Sequence, residues 1–571
     1  MDQPRDPGTA PTVRVVDFVV DYLAHAGIRH MFGVGGANIE DLYDSAYFHT
    51  GITAVLAKHE FSAATMADGY SRASAGIGVV AATSGGASLN LIPALGESLA
   101  SRVPVLAVVG QPPSTQDGHG SFQDTSGRNG SLNAEALFGE VSVRCRRVLN
   151  PAAVIVELPR AIVAARTGGP AVLLIPKDVQ QSPVAAAHVT QIDRPRSPAE
   201  PDAIAAALEA LDGPLTIIAG EQIARDNARA ELEELRRATG ARVATVPDAK
   251  DVAAVDLGVT GVMGHRGVAE AITRSAMCLL VGTRLPLVAR TGLDDALAAV
   301  PTFSIGSAVP YPPCRHIHTA DLRTSLAQLT RTVRRRSGQP RQHVPAPAPA
   351  PAPAELTPPI SAGAGVRYRD AMKLLDEALP DDADVVVDAG NTGASAIHQL
   401  PVRQSGRFVV ALGMGGMGYS FGAAIGVAFA RTKRRTVVIA GDGAFFMHGM
   451  EIHTAVQYRL PITFVLFNNN AHAMCVTREQ LFYQDLYSYN RFTASRLGHG
   501  VASMFPGLAA EDVDSIEQLP HALARALAAD GPSVVSIECS ADEIPPFAPF
   551  LTPPHVNSIT QKDPPYVAAR T

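Results

Sequence analysis

The chain has 571 residues, of which 46% are hydrophobic and 18% charged, and its formal net charge is −6 at pH 7. This length is too great for one hydrophobic core, so two to four domains are expected. The acidic balance gives no basic surface for nucleic acid or for an anionic membrane. We therefore expect neither a nucleic-acid partner nor a membrane partner.

The cysteines and the N-terminal residues bear on the cellular compartment. The five cysteines stand far apart and form no Cys-x-x-Cys pair, which argues against a disulfide framework or a zinc site. The first residues, MDQPRDPGTAPT, lack the basic and apolar regions of a signal peptide. Apolar runs such as Val103–Val109 are too short to span a bilayer. These features predict a cytoplasmic protein.

The first part of the chain, residues 12–185, alternates short apolar runs with amphipathic stretches. The apolar runs include ITAVLA (Ile52–Ala57), IGVVAAT, VPVLAVVG and AVLLIP. This pattern is typical of a parallel sheet wrapped by helices. Glu60 directly follows a predicted strand and stands at the start of a predicted helix, where the helix dipole alone already favours an acid.

Two further α/β patterns follow, and the segments between them predict the domain boundaries. A polar stretch, Gln191–Asp202, precedes the runs PLTIIAG, ARVATVP, MCLLVG and TFSIG. The repeat PAPAPAPAPA, Pro345–Ala354, favours an extended polyproline conformation, and DVVVDAG, TVVIAGDG, ITFVLFNN and SVVSIE come after it. We predict three consecutive Rossmann-like α/β domains with parallel sheets. Their expected bounds are an N-terminal domain at 1–190, a central domain at 200–335, a Pro/Ala-rich linker at 338–359 and a C-terminal domain at 360–571.

The most informative segment is RTVVIAGDGAFFMHGMEIHTAVQYRLPITFVLFNNNAHAM, which lies in the third domain. It predicts a strand at Thr436–Ala440, a tight turn at Gly441–Gly443, a helix at Met447–Tyr458 and a strand at Ile462–Phe467. A strand–helix–strand unit places both connecting loops at the carboxyl edge of the sheet, so Asp442 and Asn469 are expected to meet. Taken separately, Gly441–Asp442–Gly443 and Asn468–Asn469–Asn470 are both common turn sequences. Together they predict a hard oxygen site suited to Mg²⁺, with glycines that admit phosphates.

This segment resembles the diphosphate-and-metal motif of thiamine-diphosphate enzymes, a GDG followed about 27 residues later by NN. The resemblance implies that Asp442, the Asn469 side chain and the Ala471 carbonyl hold Mg²⁺. It also implies that Gly443 and Ala444 donate to the diphosphate.

Two glycine-rich segments resemble further cofactor loops of this family. The segment GMGGMGYSFGAAIG is similar to GTMGYGLPAAIG, which implies that Met417 supports the bent cofactor and that the Gly415 carbonyl accepts from its 4′-amino group. By itself, Met417 would be better explained as a core residue, but its place in the glycine-rich segment reverses that preference. The segment DAGNTGAS resembles the family's other diphosphate loop. Its candidate cofactor-binding residues are Gly390, Asn391 and Thr392. Met474, which lies outside this segment, is a further cofactor-binding candidate and is expected to help shape the acceptor pocket.

The stretch ITAVLAKHEFSAATMADGYSRASA resembles RHEQGAAHMAEGYARATG of the family, which identifies Glu60 as the acid beside N1′ of the aminopyrimidine. Such an acid must be desolvated enough to share a proton near neutral pH. FGVGGANIEDLYD, TSGGASLN and GPAVLLIPKDV resemble further family segments, so the resemblance covers most of the chain. In the family the glutamate and the metal site come from different subunits, which implies a homodimer or a homotetramer.

Within the family, the catalytic subunit of acetolactate synthase and related acyloin-forming carboligases are the most similar. Phe122 and Gln123 in HGSFQDTSG match their Phe-Gln, whereas pyruvate decarboxylases carry a His–His pair nearby. The match implies that Gln123 is catalytic and orients the second substrate. It places Phe122 in the substrate pocket.

Three positions depart from the family pattern. A substrate-selecting tryptophan is replaced by Arg478, which either pairs with a carboxylate or phosphate on the acceptor or is solvated. Arg284 aligns with an arginine that contacts the second keto acid, but the next three residues differ from the family's. The flavin-binding stretch reads TFSIGSAVPYP and lacks an acidic residue for a ribose, so FAD is not expected.

We therefore expect a thiamine-diphosphate- and Mg²⁺-dependent carboligase that decarboxylates a 2-oxo acid, with pyruvate as the expected donor, and transfers the acyl unit to a second carbonyl compound. One alternative is a simple 2-oxo acid decarboxylase, against which the missing His–His pair argues. Another is an inactive binding or regulatory homologue, against which the intact Glu60, Asp442 and Asn469 argue. An oxidase is disfavoured by the flavin region.

Overall fold

The computed structural model describes residues 12–185, 201–253, 256–336, 353–360, 363–403 and 405–551. Most of the predicted linker, residues 338–352, lies outside the described residues, as does most of the polar stretch 191–202. The described chain contains three all-parallel sheets of six, five and six strands. The predicted α/β fold class is therefore confirmed.

The N-terminal unit is a six-stranded parallel sheet with helices on both faces. Its strands, including a short flanking pair, are β1 Thr12–Arg14, β2 His30–Val34, β3 Thr53–Leu56, β4 Gly78–Ala82, β5 Val105–Gln111, β6 Arg144–Arg147, β7 Pro170–Pro176 and β8 Pro183–Ala185. Its helices are α1 Val15–His25, α2 Glu40–Phe48, α3 Glu60–Ser74, α4 Gly86–Leu89, α5 Ile92–Ala100, α6 Ala134–Glu140, α7 Val154–Arg166 and α8 Lys177–Gln181. The sheet order is β3-β2-β4-β5-β7-β6, and β1 pairs antiparallel with β8. Strands β4, β5 and β7 are buried along their whole length, which explains their unbroken apolar sequences.

The central unit is a five-stranded parallel sheet in the order β10-β9-β11-β12-β13. Its strands are β9 Leu215–Ala219, β10 Arg242–Thr245, β11 Met277–Val281, β12 Thr302–Gly306 and β13 Arg315–His318. Its helices are α9 Asp202–Glu209, α10 Gln222–Arg225, α11 Arg229–Thr239, α12 Gly267–Thr273, α13 Leu287–Arg290, α14 Asp294–Ala299 and α15 Leu322–Arg336.

The C-terminal unit repeats the topology of the N-terminal one. Its strands are β14 Asp384–Val387, β15 Phe408–Val410, β16 Thr436–Gly441, β17 Ile462–Asn468, β18 Ala509–Val513 and β19 Ser533–Glu538. Its helices are α16 Tyr368–Ala378, α17 Asn391–Gln399, α18 Tyr419–Ala430, α19 Asp442–His448, α20 Ile452–Gln457, α21 Ala473–Phe482, α22 Leu497–Met504, α23 Leu519–Leu527 and α24 Ala548–Leu551. The sheet order, β15-β14-β16-β17-β19-β18, runs second, first, third, fourth, sixth, fifth, as it does in the N-terminal unit.

The predicted turn at 441–443 is wrong, and the predicted helix at 447–458 is present but interrupted. Strand β16 continues through Gly441, and α19 begins at Asp442, where an acid in the first turn is favoured by the helix dipole. A 3₁₀ turn, Gly449–Glu451, then separates α19 from α20. At that turn the Glu451 carboxylate accepts the backbone N–H of Lys58 and of His59, which are residues of the N-terminal unit.

The N- and C-terminal units share one hydrophobic core, and α3 packs against α18 at its centre. Glycines allow this close approach. A β-carbon on Gly426 would stand 1.9 Å from the Met66 carbonyl oxygen, and one on Gly422 would stand 2.5 Å from that of Ser62. No helix in the described part of the chain is long and apolar enough to cross a membrane.

Candidate active site

The carboxyl edge of the C-terminal sheet carries a buried, isolated carboxylate. Asp442 is 1% exposed, and its oxygens accept the backbone N–H of Gly443 at 2.9 Å and of Ala471 at 3.1 Å. Burial raises the pKa of the Asp442 carboxyl to about 6, while the backbone N–H groups, including that of Asn469, oppose the rise. The loops after β16 and β17 therefore meet, as their spacing predicts.

Asn469 presents an unsatisfied oxygen at the same edge. Its amide nitrogen donates to the Tyr368 hydroxyl at 3.2 Å, and its Oδ1 is buried without a hydrogen-bond partner. Such a buried polar atom is costly to leave unpaired. A hard cation held by the Asp442 carboxylate and the Asn469 oxygen would satisfy both groups. Because no three His, Cys, Asp or Glu side chains cluster in the described residues, a cation here needs amide and carbonyl oxygens as ligands.

The predicted diphosphate loops lie on either side of a topological switch point. Asn391 opens α17 after β14, and Asp442 opens α19 after β16, the neighbouring strand. Chain connections diverge between these two strands, and ligands of open α/β sheets bind at such points. Gly390 has φ +96°, and Asn391 and Thr392 are buried at the N-terminal end of α17, where backbone N–H groups attract anions.

Met417 and His472 flank Gly443. A β-carbon on Gly443 would stand 2.6 Å from His472 Nδ1 and 3.0 Å from Met417 Cε, so this position has no room for a side chain. The next residue, Ala444, is also buried. His472 Nδ1 is buried and unpaired. No sequence motif marks His472, apart from its place three positions after Asn469.

The structure places Gly415 in the loop before α18, with φ +65° and its N–H directed at Glu97 of the N-terminal unit, 3.3 Å away. Met474 is half-buried in the first turn of α21. Sequence reasoning missed Glu97, because nothing near it in the chain marks a contact with the C-terminal unit.

Glu60 is the first residue of α3 and is 9% exposed. Asn90, from the loop after β4, donates to its Oε2 at 2.9 Å, so the direction of the carboxyl group is fixed by an amide. The next residue, Phe61, stacks on His448 with ring centroids 4.3 Å apart. Asn90 was not among the predicted site residues, although it closes the TSGGASLN segment.

Gln123 lies in the loop after β5, the strand next to β4. It adopts φ +63°, and its Oε1 accepts from the Ser84 hydroxyl at 3.3 Å, which in turn accepts from the Asn38 amide at 2.7 Å. Phe122 is 80% exposed. The N-terminal unit thus presents a hydroxyl and amide network at its own carboxyl edge.

The two predicted substrate arginines lie apart from these networks. Arg478 is exposed on α21, with its guanidinium 5.4 Å from the centre of the Phe482 ring. Arg284 is in the central unit after β11, with its guanidinium 4.4 Å from the Tyr311 ring. Among the described residues, neither forms a salt bridge with an acidic side chain.

Comparison with known proteins identifies the family of this chain. Models of the thiamine pyrophosphate enzymes match all three units: the N-terminal TPP binding domain at 13–130, the central domain at 202–303 and the C-terminal TPP binding domain at 388–537.

Curated relatives extend this similarity along the chain. It is 27% identical over 569 residues to the acetolactate synthase isozyme 2 large subunit of Escherichia coli (strain K12), covering 95% of this chain and 98% of that one. It is 28% identical over 593 residues to an acetolactate synthase of Arthrospira platensis, covering 95% and 96%.

A solved structure agrees at the level of the fold. The benzoylformate decarboxylase from Polynucleobacter necessarius matches with a TM-score of 0.78 at 17% identity, covering 93% of this chain and 99% of that one. Family models match the three units in chain order, so the chain belongs to the thiamine pyrophosphate enzymes and is similar to acetolactate synthase large subunits.

Proposed function

We propose that this enzyme is a thiamine-diphosphate- and Mg²⁺-dependent carboligase that decarboxylates a 2-oxo acid, pyruvate in the first instance, and joins the acyl unit to a second carbonyl compound. The observation that carries the proposal is the buried Asp442 carboxylate beside the unpaired Asn469 oxygen, at the switch point of the C-terminal sheet. The similarity to acetolactate synthases over 95% of the chain supports ligation.

The C-terminal unit would hold the diphosphate end of the cofactor. Asp442, Asn469 and the Ala471 carbonyl would provide three oxygens for Mg²⁺, and the N-terminal ends of α17 and α19 would receive the phosphates. When bound, thiamine diphosphate supplies the nucleophilic carbon and the electron sink that 2-oxo acid chemistry requires.

The N-terminal unit would provide the acid that exchanges a proton with the aminopyrimidine ring of the cofactor. Glu60 is buried and fixed by Asn90, so its carboxyl can hold a proton at N1′ of the aminopyrimidine without reorienting. Water is largely excluded from this carboxyl because only 9% of the residue is exposed.

The acceptor would lie between Gln123 and α21. The Asn38–Ser84–Gln123 chain of hydrogen bonds orients the Gln123 amide toward an acceptor oxygen. Arg478 would pair with a carboxylate or phosphate on the acceptor, because its charge is exposed and meets no acidic partner among the described residues.

We also propose a homodimer, or a tetramer of two dimers, in which Glu60 of one subunit serves the metal site of its partner. Mixing Glu60→Gln and Asp442→Asn subunits tests this arrangement. If each site draws on two subunits, random pairing restores about a quarter of the wild-type activity, because half the dimers then contain one intact site. No recovery on mixing would show that each site is built from one chain.

The reaction is tested by incubating the purified protein with pyruvate, Mg²⁺ and thiamine diphosphate, alone and with a panel of keto acids and aldehydes. We expect cofactor-dependent CO₂ release and a ligated product. Glu60→Gln should lower turnover by at least about 100-fold, the scale of general acid–base catalysis. Asp442→Asn should abolish Mg²⁺-dependent cofactor binding.

Exposed residues provide matched controls. Glu140→Gln and Asp212→Asn make the same chemical changes at exposed positions and should leave activity unchanged. If free aldehyde is the only product, the enzyme is a simple decarboxylase and the carboligase proposal is wrong. Absence of cofactor binding by the wild type would overturn the assignment altogether.

A further inference from the structure

The segment Gly413–Tyr419 leads into α18 and is held at both ends by acids of the N-terminal unit. It contains Gly415 and Met417, the two residues proposed to contact the aminopyrimidine side of the cofactor. Gly413–Gly416 are exposed, so their conformation is not set by packing within the C-terminal unit.

Glu97, on α5, binds the first end. Its carboxylate is 3% exposed and accepts three successive backbone N–H groups, from Gly413 at 3.1 Å, Met414 at 2.6 Å and Gly415 at 3.3 Å. Successive N–H groups that converge on one anion form a concave binding site in the backbone. Here the anion is a side chain of the same protein.

The second end is bound by Asp68, which accepts a hydrogen bond from the Tyr419 hydroxyl. Arg72 pairs with Asp68 at 2.6 Å and approaches Glu97 at 3.4 Å, and all three side chains are at most 10% exposed. A continuous buried charge network therefore spans the two contacts. Such networks hold a defined geometry only while every member is paired.

Met417 lies in the chain between the residues that contact Glu97 and Asp68. It also packs against Gly443, the residue after Asp442: its Cε is 3.0 Å from the place where a β-carbon on Gly443 would stand. A shift of the Gly413–Tyr419 segment would therefore move the aminopyrimidine contacts. Asp388, at the end of β14, accepts the backbone N–H of Gly418 at 3.0 Å and of Ser420 at 2.9 Å. This contact anchors the far end of the segment within the C-terminal unit, so a shift at Gly413–Gly415 would leave Asp442, Asn469 and the start of α17 in place.

We propose that Glu97 is a positioning residue for the aminopyrimidine end of the cofactor: it fixes the Gly413–Gly415 backbone so that the Gly415 carbonyl and Met417 face the ring. This inference rests on the proposed function of the site. Replacing one carboxylate oxygen by an NH₂ group places a donor against backbone donors, so Glu97→Gln breaks the arrangement without changing side-chain volume.

The test compares two ligands, thiamine diphosphate and inorganic diphosphate, each with saturating Mg²⁺, by isothermal titration calorimetry. For Glu97→Gln we expect the Kd of thiamine diphosphate to rise about 10-fold or more, the scale of a lost charge-assisted hydrogen bond. The Kd of inorganic diphosphate should stay within about twofold of the wild-type value, because that ligand needs only the C-terminal unit. A general loss of structure would weaken both ligands.

Two further variants keep the test decisive. Glu140→Gln makes the same chemical change at an exposed position and should leave both Kd values near those of the wild type. Glu97→Asp keeps the charge beside Arg72 but shortens the side chain, and it takes the place of Glu97→Gln if that variant does not fold. Unchanged thiamine diphosphate affinity in the folded Glu97 variant would overturn this inference alone. A wild type that binds inorganic diphosphate but no thiamine diphosphate would overturn both this inference and the proposed function.

Discussion

The contact between α3 and α18 makes the sharpest quantitative prediction, for the variant Gly426→Ala. The new β-carbon would lie 1.9 Å from the Met66 carbonyl oxygen and 2.7 Å from the Tyr70 nitrogen. Both are backbone atoms of a helix interior, so neither can rotate away. An ordinary carbon–oxygen contact needs roughly 3.4 Å, so the two helices must separate by about 1.5 Å and lose contacts along their interface.

Two opposing effects determine the expected change in the free energy of unfolding. Alanine gains up to about 1 kcal/mol of helix propensity over glycine. Overpacking of a core against backbone costs about 1–3 kcal/mol and sometimes more. We expect a net loss of about 2 kcal/mol or more, which corresponds to a fall in Tm of roughly 4–8 °C for a unit of this size.

Thermal unfolding followed by circular dichroism measures this change, and Gly500→Ala is the control. Gly500 is in helix α22, and a β-carbon there would meet no atom within 4 Å, so alanine should be neutral or slightly stabilising. The Gly426 variant should also bind thiamine diphosphate more weakly, because α3 carries Glu60 and α18 follows the Met417 loop. A Gly426→Ala protein as stable as the Gly500→Ala protein would refute the close approach of these helices.

Three other predictions concern single side chains. Asp251→Asn leaves Arg407 and Arg229 without their buried partner between the central and C-terminal units, so stability should fall by about 3–5 kcal/mol; denaturant unfolding measures it, and a loss below about 1 kcal/mol would contradict the ion pair. Burial raises the pKa of Glu543 from 4.5 to about 7, so its contribution to stability is present below pH 4.5 and lost as the pH rises through about 7. Glu543→Gln should therefore gain Tm relative to the wild type at pH 8 but not at pH 5, and parallel Tm curves would exclude this titration. Arg478→Leu should lower kcat/KM for acceptors that carry a carboxylate or phosphate, without changing the Kd of the cofactor, and an unchanged acceptor preference would show that Arg478 is only solvated.

Local signals were sufficient to predict which residues of the candidate site come together within one strand–loop–helix unit. The meeting of Asp442 with the loop after β17 follows from the handedness of such units, and Glu60 begins α3 as its position after a strand predicts. The break between α19 and α20 was not predicted, because the apolar periodicity continues through it. Its Glu451 carboxylate accepts N–H groups of Lys58 and His59, so the break coincides with a contact between units.

Contacts between units explain why the sequence predicted neither the role of Glu97 nor the packing of α3 against α18. Glu97 carries no sequence signal for its role, since a glutamate within a helix is ordinary and its partners are more than 300 residues away. The α3–α18 contact gave only a weak signal, through glycines that also fit a cofactor loop. Patterns along the chain specify each sheet, whereas the faces by which two sheets dock depend on side chains that no local period brings together.

The N- and C-terminal units share one topology, and this explains which residues each of them contributes to the candidate site. In both, the helix after the second strand packs against its counterpart, and these helices are α3, opened by Glu60, and α18, preceded by the Met417 loop. The loops after the third and fourth strands also correspond: in the C-terminal unit they carry Asp442 and Asn469, and in the N-terminal unit they carry Ser84 and Gln123. The N-terminal loops offer a hydroxyl and an amide, while their two carboxylates are already bound, Asp117 by Arg147 and Asp124 by the backbone N–H groups of Gly118 and Ser126. The hydroxyl and the amide suit a neutral carbonyl oxygen and lack the charge that a divalent cation needs. In the proposed function, one fold used twice would thus provide the anion-and-metal site on one side and a polar, uncharged site on the other, a division that suits a cofactor whose charged and reacting ends must be held apart.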